Sequence, residues 1–134
     1  MGRVDVDLTA VGVIPDGEYV ATVTKLSYQV KVGENWNREG TQDVDYSTWM
    51  TFAKDKRRLH FMLMVPGKGS AWHDLYMMDS AAGFAKEFMV AARVSFDKSG
   101  FEPEEAIGKQ LLLGVTIKDD GVHGPRNEFR FKKA

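Results

Sequence analysis

Between Asp45 and Val65 the chain reads DYSTWMTFAKDKRRLHFMLMV, which places Tyr46, Trp49 and Phe52 immediately ahead of Lys54, Lys56, Arg57 and Arg58. Rings in a stretch with no clear apolar period offer faces on which unpaired bases stack, at about 1–3 kcal/mol per base. Lysine and arginine neutralise phosphates and release counterions, an attraction that ignores base sequence and weakens with salt. Trp36 and Tyr46, set among polar neighbours, join Trp49 and Phe52 as stacking candidates in a loop. Arg58 and His60 on one strand-like run, with Trp72 and Tyr76 on the next, supply a platform of alternate residues. Lys54, Lys56, Arg57, Lys118, Arg126, Arg130 and Lys132 are the candidates for tracking a phosphate backbone.

Each group also has a purely structural use. Trp49 and Phe52 are three residues apart and could fold a short loop helix onto the core as a plug, because large aromatics bury most of their surface. Trp72 and Tyr76, beside outward Met62, Met64 and Met78, could instead cover an interface between copies of the chain, since methionine-rich faces adapt to partners. The cations from Lys54 to Arg58 also read as a solvated turn.

Enzyme chemistry finds less support. His60, His73 and His123 fall on different elements, without the short ligand spacings of a zinc site. Asp43 with Asp45, or Asp119 with Asp120, could in principle hold magnesium, yet both pairs sit where aspartate commonly forms turns. No phosphate-binding loop, nucleophile elbow or dinucleotide fingerprint occurs, and Gly67-Lys68-Gly69 reads as a hairpin turn. The expectation is a binding protein with no catalytic residues, no metal and no cofactor. At 134 residues the chain is one domain. A net charge of -1 excludes a globally basic binder and shifts the weight to local patches. The absence of cysteine removes disulfides and thiolates and fits a reducing cytoplasm. No signal-peptide core and no apolar run near membrane-spanning length is present, so neither secretion nor a membrane span is expected.

The elements that must position these residues follow from pattern. After a weakly patterned lead-in from Met1 to Val13, Ile14-Pro15-Asp16-Gly17 launches a long strand from Glu18 to Lys31. Tyr19, Ala21 and Val23 share one face of it, whereas Leu26, Tyr28 and Val30 share the other, which predicts a bulge or sharp bend near Lys25 that lets one strand contribute to both sides of a closed sheet. Gly33 to Lys56 is polar and too long for a tight hairpin, so it is expected to be a functional loop, mobile when empty and closing over a bound strand. Arg57 to Pro66 alternates, with Leu59, Phe61, Leu63 and Val65 opposite Arg58, His60, Met62 and Met64; a turn at Gly67 to Ser70 then leads into a third strand, Trp72 to Met78. Asp79-Ser80 caps a helix running to about Val94, with Ala81, Phe84, Ala85, Phe88, Met89 and Ala92 on one stripe. Phe96 to Glu105 is loop with an extra turn at Pro103. A fourth strand, Gln110 to Lys118, a loop at Asp119-Asp120-Gly121 and a last strand, Asn127 to Lys132, complete the chain. No internal repeat is present.

This order describes a mainly β protein, a five-stranded OB-fold-like Greek-key barrel with one helix between strands three and four. Such barrels bind single strands across the outer face of strands two and three, flanked by the loops that here carry the rings and cations. IPDGEYVATVT, GKGSAWHDLYMMD and IGKQLLLGVTIKDDG resemble segments of a phage-encoded family of single-stranded DNA-binding OB-fold proteins, over Ile14 to Phe131. The long loop from Gly33 to Lys56 departs from that pattern, as does the basic ending FRFKKA in place of an acidic partner-recruiting tail. The resemblance implies a sequence-tolerant single-stranded DNA-binding protein of phage replication or recombination, in the host cytoplasm. Its expected partners are single-stranded DNA, replication or recombination proteins, and a second copy of itself in a homo-oligomer, a dimer first. The alternative is a non-enzymatic adaptor or structural barrel that acts through protein contacts.

Overall fold

Strand β1 (Gly17–Lys31) contains the expected phase slip, seen as a register shift between Val23 and Lys25 where it pairs with β3 (Arg57–Val65). The bulge returns Leu26, Tyr28 and Val30 to the side already used by Ala21 and Val23, so both halves of the strand feed one core. This computed structural model describes residues 14–97, 100–119, 121 and 125–134; the lead-in, Asp120 and His123 lie outside them, as do the side chains of Asp119 and residues 125–127.

Because it bends, β1 serves two partners. Residues 22–30 pair with β3, and residues 17–22 pair with β7 (Gln110–Asp119). Hairpins extend the sheet at both ends: β4 (Gly69–Tyr76) returns along β3, and β8 (Pro125–Lys133) along β7. The path is β4-β3-β1-β7-β8, wholly antiparallel, and short β2 (Thr41–Val44) adds a sixth strand on β1. Strands β5 (Phe96–Asp97) and β6 (Gly100–Phe101) form a separate two-stranded ribbon.

Helix α2 (Ala82–Ala91) packs against β8 and β4, the two ends of that path. Beneath it Phe131 of β8 meets His73 of β4 at 4.4 Å and Phe88 of the helix at 5.2 Å between ring centroids. Side chains thus bridge the two ends, but no backbone ladder joins β4 to β8 among the described residues, so the expected closed barrel is met here only as an open antiparallel sheet. The helix ends sooner than Val94, because Arg93 adopts a left-handed conformation (φ 58) and the Val94 N–H turns back to the Met89 carbonyl. Phe84, expected on the buried stripe, is 71% exposed.

The stretch from Gly33 to Lys56 differs most from expectation, since it is largely folded. It contains β2, the single-turn helix α1 (Tyr46–Trp49) and a 3-10 turn at Lys54–Lys56. Asp45 caps α1, its Oδ1 accepting from the Thr48 N–H at 2.8 Å and from the Ser47 hydroxyl at 3.1 Å. Those bonds, the Thr48 ones foremost, hold its carboxyl below the usual range. Four-residue elements are too short to show a period, which is why the pattern reads as loop.

Candidate nucleic-acid interface

Alternation on β1, β3 and β4 sends every second side chain away from the core, and the register lines these up in rows. Gln29, Arg58 and Tyr76 form the first row, Ser27, His60 and Asp74 the second, and Lys25, Met62 and Trp72 the third. The platform residues Arg58, His60, Trp72 and Tyr76 therefore share one outer face.

Trp36 joins them from the segment between β1 and β2. Its ring lies 4.5 Å from the Arg58 guanidinium and meets the Tyr76 ring edge-on at 5.7 Å. Gly40 fixes this fold-back: its N–H bonds Asn37 Oδ1 at 2.7 Å, its carbonyl accepts from Val32 N at 2.8 Å, and any Cβ there would collide with the Asn35 carbonyl oxygen. Only glycine lets the backbone approach so closely.

Arg58 is held from several sides. Its Nε donates to Gln29 Oε1 at 2.7 Å, and its Nη1 lies 3.2 Å from the Tyr76 hydroxyl and 3.4 Å from Asp74 Oδ2. Gln29 in turn donates to Asp43 Oδ1 at 2.8 Å. His60 Nδ1 bonds Asp74 Oδ1, and its ring stacks on Trp72 at 4.2 Å with 13° between planes. Trp72 still keeps 45% of its surface exposed, so the indole is backed on one side and open on the other. Such a network fixes rings in place before any ligand arrives, because each polar atom that orients them is already bonded.

Trp49 belongs elsewhere. It is 5% exposed, and its indole N–H is shared between the Gln29 and Arg58 carbonyls, each at 3.1 Å. Tyr28 lies 5.3 Å away edge-on, so no face of Trp49 is free for a base. Trp49 is the plug, and half-buried Phe52 packs against the same core. The reason is that α1 turns the indole inward over the β1–β3 ladder, where its polar edge finds acceptors. Tyr46 remains 53% exposed at the start of α1. Neighbouring Tyr28 donates to Glu104 Oε1 at 3.4 Å; burial, then Glu104 and Glu102, push its phenol up to about 12.

The expected backbone-tracking cations divide into three sets. Lys54 and Lys56 are exposed on the turn before β3. Arg57, one residue from Arg58, points to the opposite side, is 9% exposed, and stacks 4.8 Å over Trp49. Lys118, Arg130 and Lys132 lie on β7 and β8, across β1 from the platform. Arg130 is bound to Glu87 at 2.7 Å and Lys132 lies 3.9 Å from Glu18, so neither is a free cation. Arg126 pairs with Lys118 in the ladder, but its side chain lies outside the described residues.

Two flanking cations escaped the sequence reading. Lys25 stands in the Trp72 row, and Lys31 Nζ is 6.0 Å from the Trp36 ring. The signal was present: once the bulge resets the parity, Lys25, Ser27, Gln29 and Lys31 must share the face opposite Leu26, Tyr28 and Val30. Asp74 and Gln29, which tie the cations down, follow from the same alternation.

Among the described residues no group of three or more potential ligands could hold a metal ion, and no helix is long and apolar enough to cross a membrane. Compared with known proteins, the chain matches no family model and no curated sequence.

Proposed function

We propose that the chain is a single-stranded DNA-binding protein of the OB type, a binding module rather than an enzyme, serving phage replication or recombination. The observation that carries this reading is the gathering of Trp36, Arg58, His60, Trp72 and Tyr76 on one outer sheet face. The path β4-β3-β1-β7-β8 supports it: this is the strand order of an OB barrel cut open at one seam, with α2 lying against both edges of the cut. Trp72 and Tyr76 are four residues apart, about 13 Å along the strand. That span admits more than one stacked base, as sequence-tolerant binding requires.

Stacking is the main source of affinity on this face. Arg58 is already matched by Asp74, so its guanidinium orients Trp36 and Tyr76 more than it neutralises phosphate. Lys25 and Lys31 flank the rings and take the phosphates. A titration with matched single-stranded and duplex oligonucleotides tests the reading. Preference for single strands is expected, with Trp72→Ala weakening it by about 1–3 kcal/mol and barely moving the melting temperature. Equal affinity for duplex, or no binding at low salt, refutes it.

A second reading, self-association or an adaptor role, draws on Met64, which is exposed on the same face as Trp72. A homodimer through that patch would compete with the strand. Sedimentation with and without oligonucleotide separates the two, since a stacking platform leaves the mass of the free protein unchanged by Trp72→Ala.

A further inference from the structure

Among the described residues Arg57 is a buried cation with no anion. Its Nε has no hydrogen-bond partner, its Nη1 reaches only the Met50 sulfur at 3.1 Å, and it forms no ion pair among the described residues. The Trp49 ring, 4.8 Å away, answers part of its charge, but the buried Nε–H still lacks an acceptor, which costs stability. It lines a cavity of about 290 Å³ at the end of β3, together with Lys54, Tyr46, Met77, Phe101 and Glu102. This cavity is distinct from the platform: alternation sends Arg57 and Arg58, and likewise Met77 and Tyr76, to opposite faces of one sheet.

We propose that this cavity is a second ligand site, one that holds a phosphate monoester on a single nucleotide unit, the terminal nucleotide of a strand or a free mononucleotide. Arg57 and Lys54 receive the phosphate. The walls of Met77 and Phe101, with the half-exposed ring of Tyr46, take the sugar and base. Three features select an end over an internal nucleotide. The cavity, at about 290 Å³, has room for one unit. Two cations match a monoester dianion better than a singly charged diester. The site and the platform stand back to back at the same end of β3 and β4, so a strand on the platform reaches it only by passing round the sheet end. Glu102 is the one carboxylate in the wall, forms no ion pair with Arg57, and weakens an anion's hold, which makes it a tuning residue.

The strand-end form of this proposal rests on the single-strand reading above, and the experiment separates the two. Fluorescence anisotropy is measured with one oligothymidine carrying a 5′-phosphate, a 3′-phosphate or neither. The wild type should bind one phosphorylated end about tenfold more tightly than the unmodified strand, the gain of one charge-assisted contact. Arg57→Met should bring that ratio to one and Glu102→Gln should raise it, whereas Trp72→Ala should lower every affinity and leave the ratio unchanged. A ratio of one at both ends in the wild type, or a ratio that survives Arg57→Met, overturns the proposal. If no strand binds, the platform reading fails while the cavity is still decided by the 5′- and 3′-monophosphates of thymidine, the tighter-binding of the two being the probe. At about ten times its dissociation constant it should raise the melting temperature by roughly 5 °C in the wild type and not in Arg57→Met. No shift in the wild type overturns the proposal. Should Arg57→Met not fold, Lys54→Gln on the exposed turn should cut the ratio about threefold, and an unchanged ratio there counts against the site.

Discussion

Acid should destabilise this protein in a window set by His73. The ring sits on the core face of β4, 5.4 Å from Phe88 and 4.4 Å from Phe131, with Nε2 buried and without a hydrogen-bond partner among the described residues. Burial pushes its pKa from 6.5 down to about 4, against the smaller upward pull of Asp74 and Glu87. The unfolded chain therefore takes up a proton near pH 6.5 while the folded protein refuses one until about pH 4. Between those values the unfolded state binds more protons, so stability falls as pH falls, and it is fully present only above 6.5. At about 1.4 kcal/mol for each pH unit separating the two values, the loss comes to about 3 kcal/mol. Urea unfolding from about pH 8 to about pH 4.5 measures it, with His73→Phe as the reference because every carboxylate titrates in both proteins and cancels in the difference. Phenylalanine removes an unsatisfied nitrogen, a gain of about 1–3 kcal/mol. It also adds volume beside two rings, a loss of about 1–3 kcal/mol. The intercept at high pH thus decides nothing and the slope decides everything. If the two stability curves run parallel from neutral to acid pH, His73 is not the buried neutral imidazole described above.

Two further outcomes test the folded segment between β1 and β3. Trp49→Ala should destabilise the free protein by about 3–5 kcal/mol in urea unfolding, as for a buried aromatic; amides 46–52 should also exchange as slowly as those of β3 without ligand, whereas a mobile lid predicts fast exchange and little loss. Gly40→Ala should release Trp36 from Arg58 and Tyr76, seen as a red-shifted tryptophan emission and weaker strand binding, while unchanged emission would place Trp36 independently of Gly40.

The long strands were legible because alternation holds over many residues and every apolar position in Leu59, Phe61, Leu63 and Val65 agrees. Even the bulge could be read, since the parity of Ala21 and Val23 conflicts with that of Tyr28 and Val30 and only an extra residue reconciles them. Platform membership followed directly, as Arg58, His60, Trp72 and Tyr76 merely occupy the other parity. What stayed hidden depends on tertiary contact. TQDV gives no sign that it pairs with β1. YSTW gives no sign that its tryptophan will find two carbonyls to share its N–H. Neighbouring arginines looked equivalent in sequence, yet strand geometry assigns Arg57 to a buried pocket and Arg58 to the outer face. Charge matching was likewise invisible: Glu87 precedes Arg130 by more than forty residues, and only the packing of α2 on β8 joins them.

That charge matching determines how binding should respond to salt. Counted from sequence, eight lysines and arginines were available to neutralise phosphates. The structure removes half of them: Arg58 faces Asp74, Arg130 faces Glu87, Lys132 faces Glu18, and Arg57 is turned away. On the platform itself Lys25 and Lys31 remain. For a single strand the log-affinity against log-salt slope is about -0.7 per phosphate neutralised, so two cations predict a shallow slope of about -1.4. Replacing both with glutamine should flatten the line to near zero, while the stacking contribution, which releases no counterions, persists at high salt. Trp72→Ala should do the reverse, lowering the line without tilting it. A wild-type slope several times steeper would mean that cations beyond these two engage the backbone, with Lys54, Lys56 and Lys118 the next to neutralise. A steep slope that vanished with Lys25 and Lys31 alone would contradict the additive counting itself.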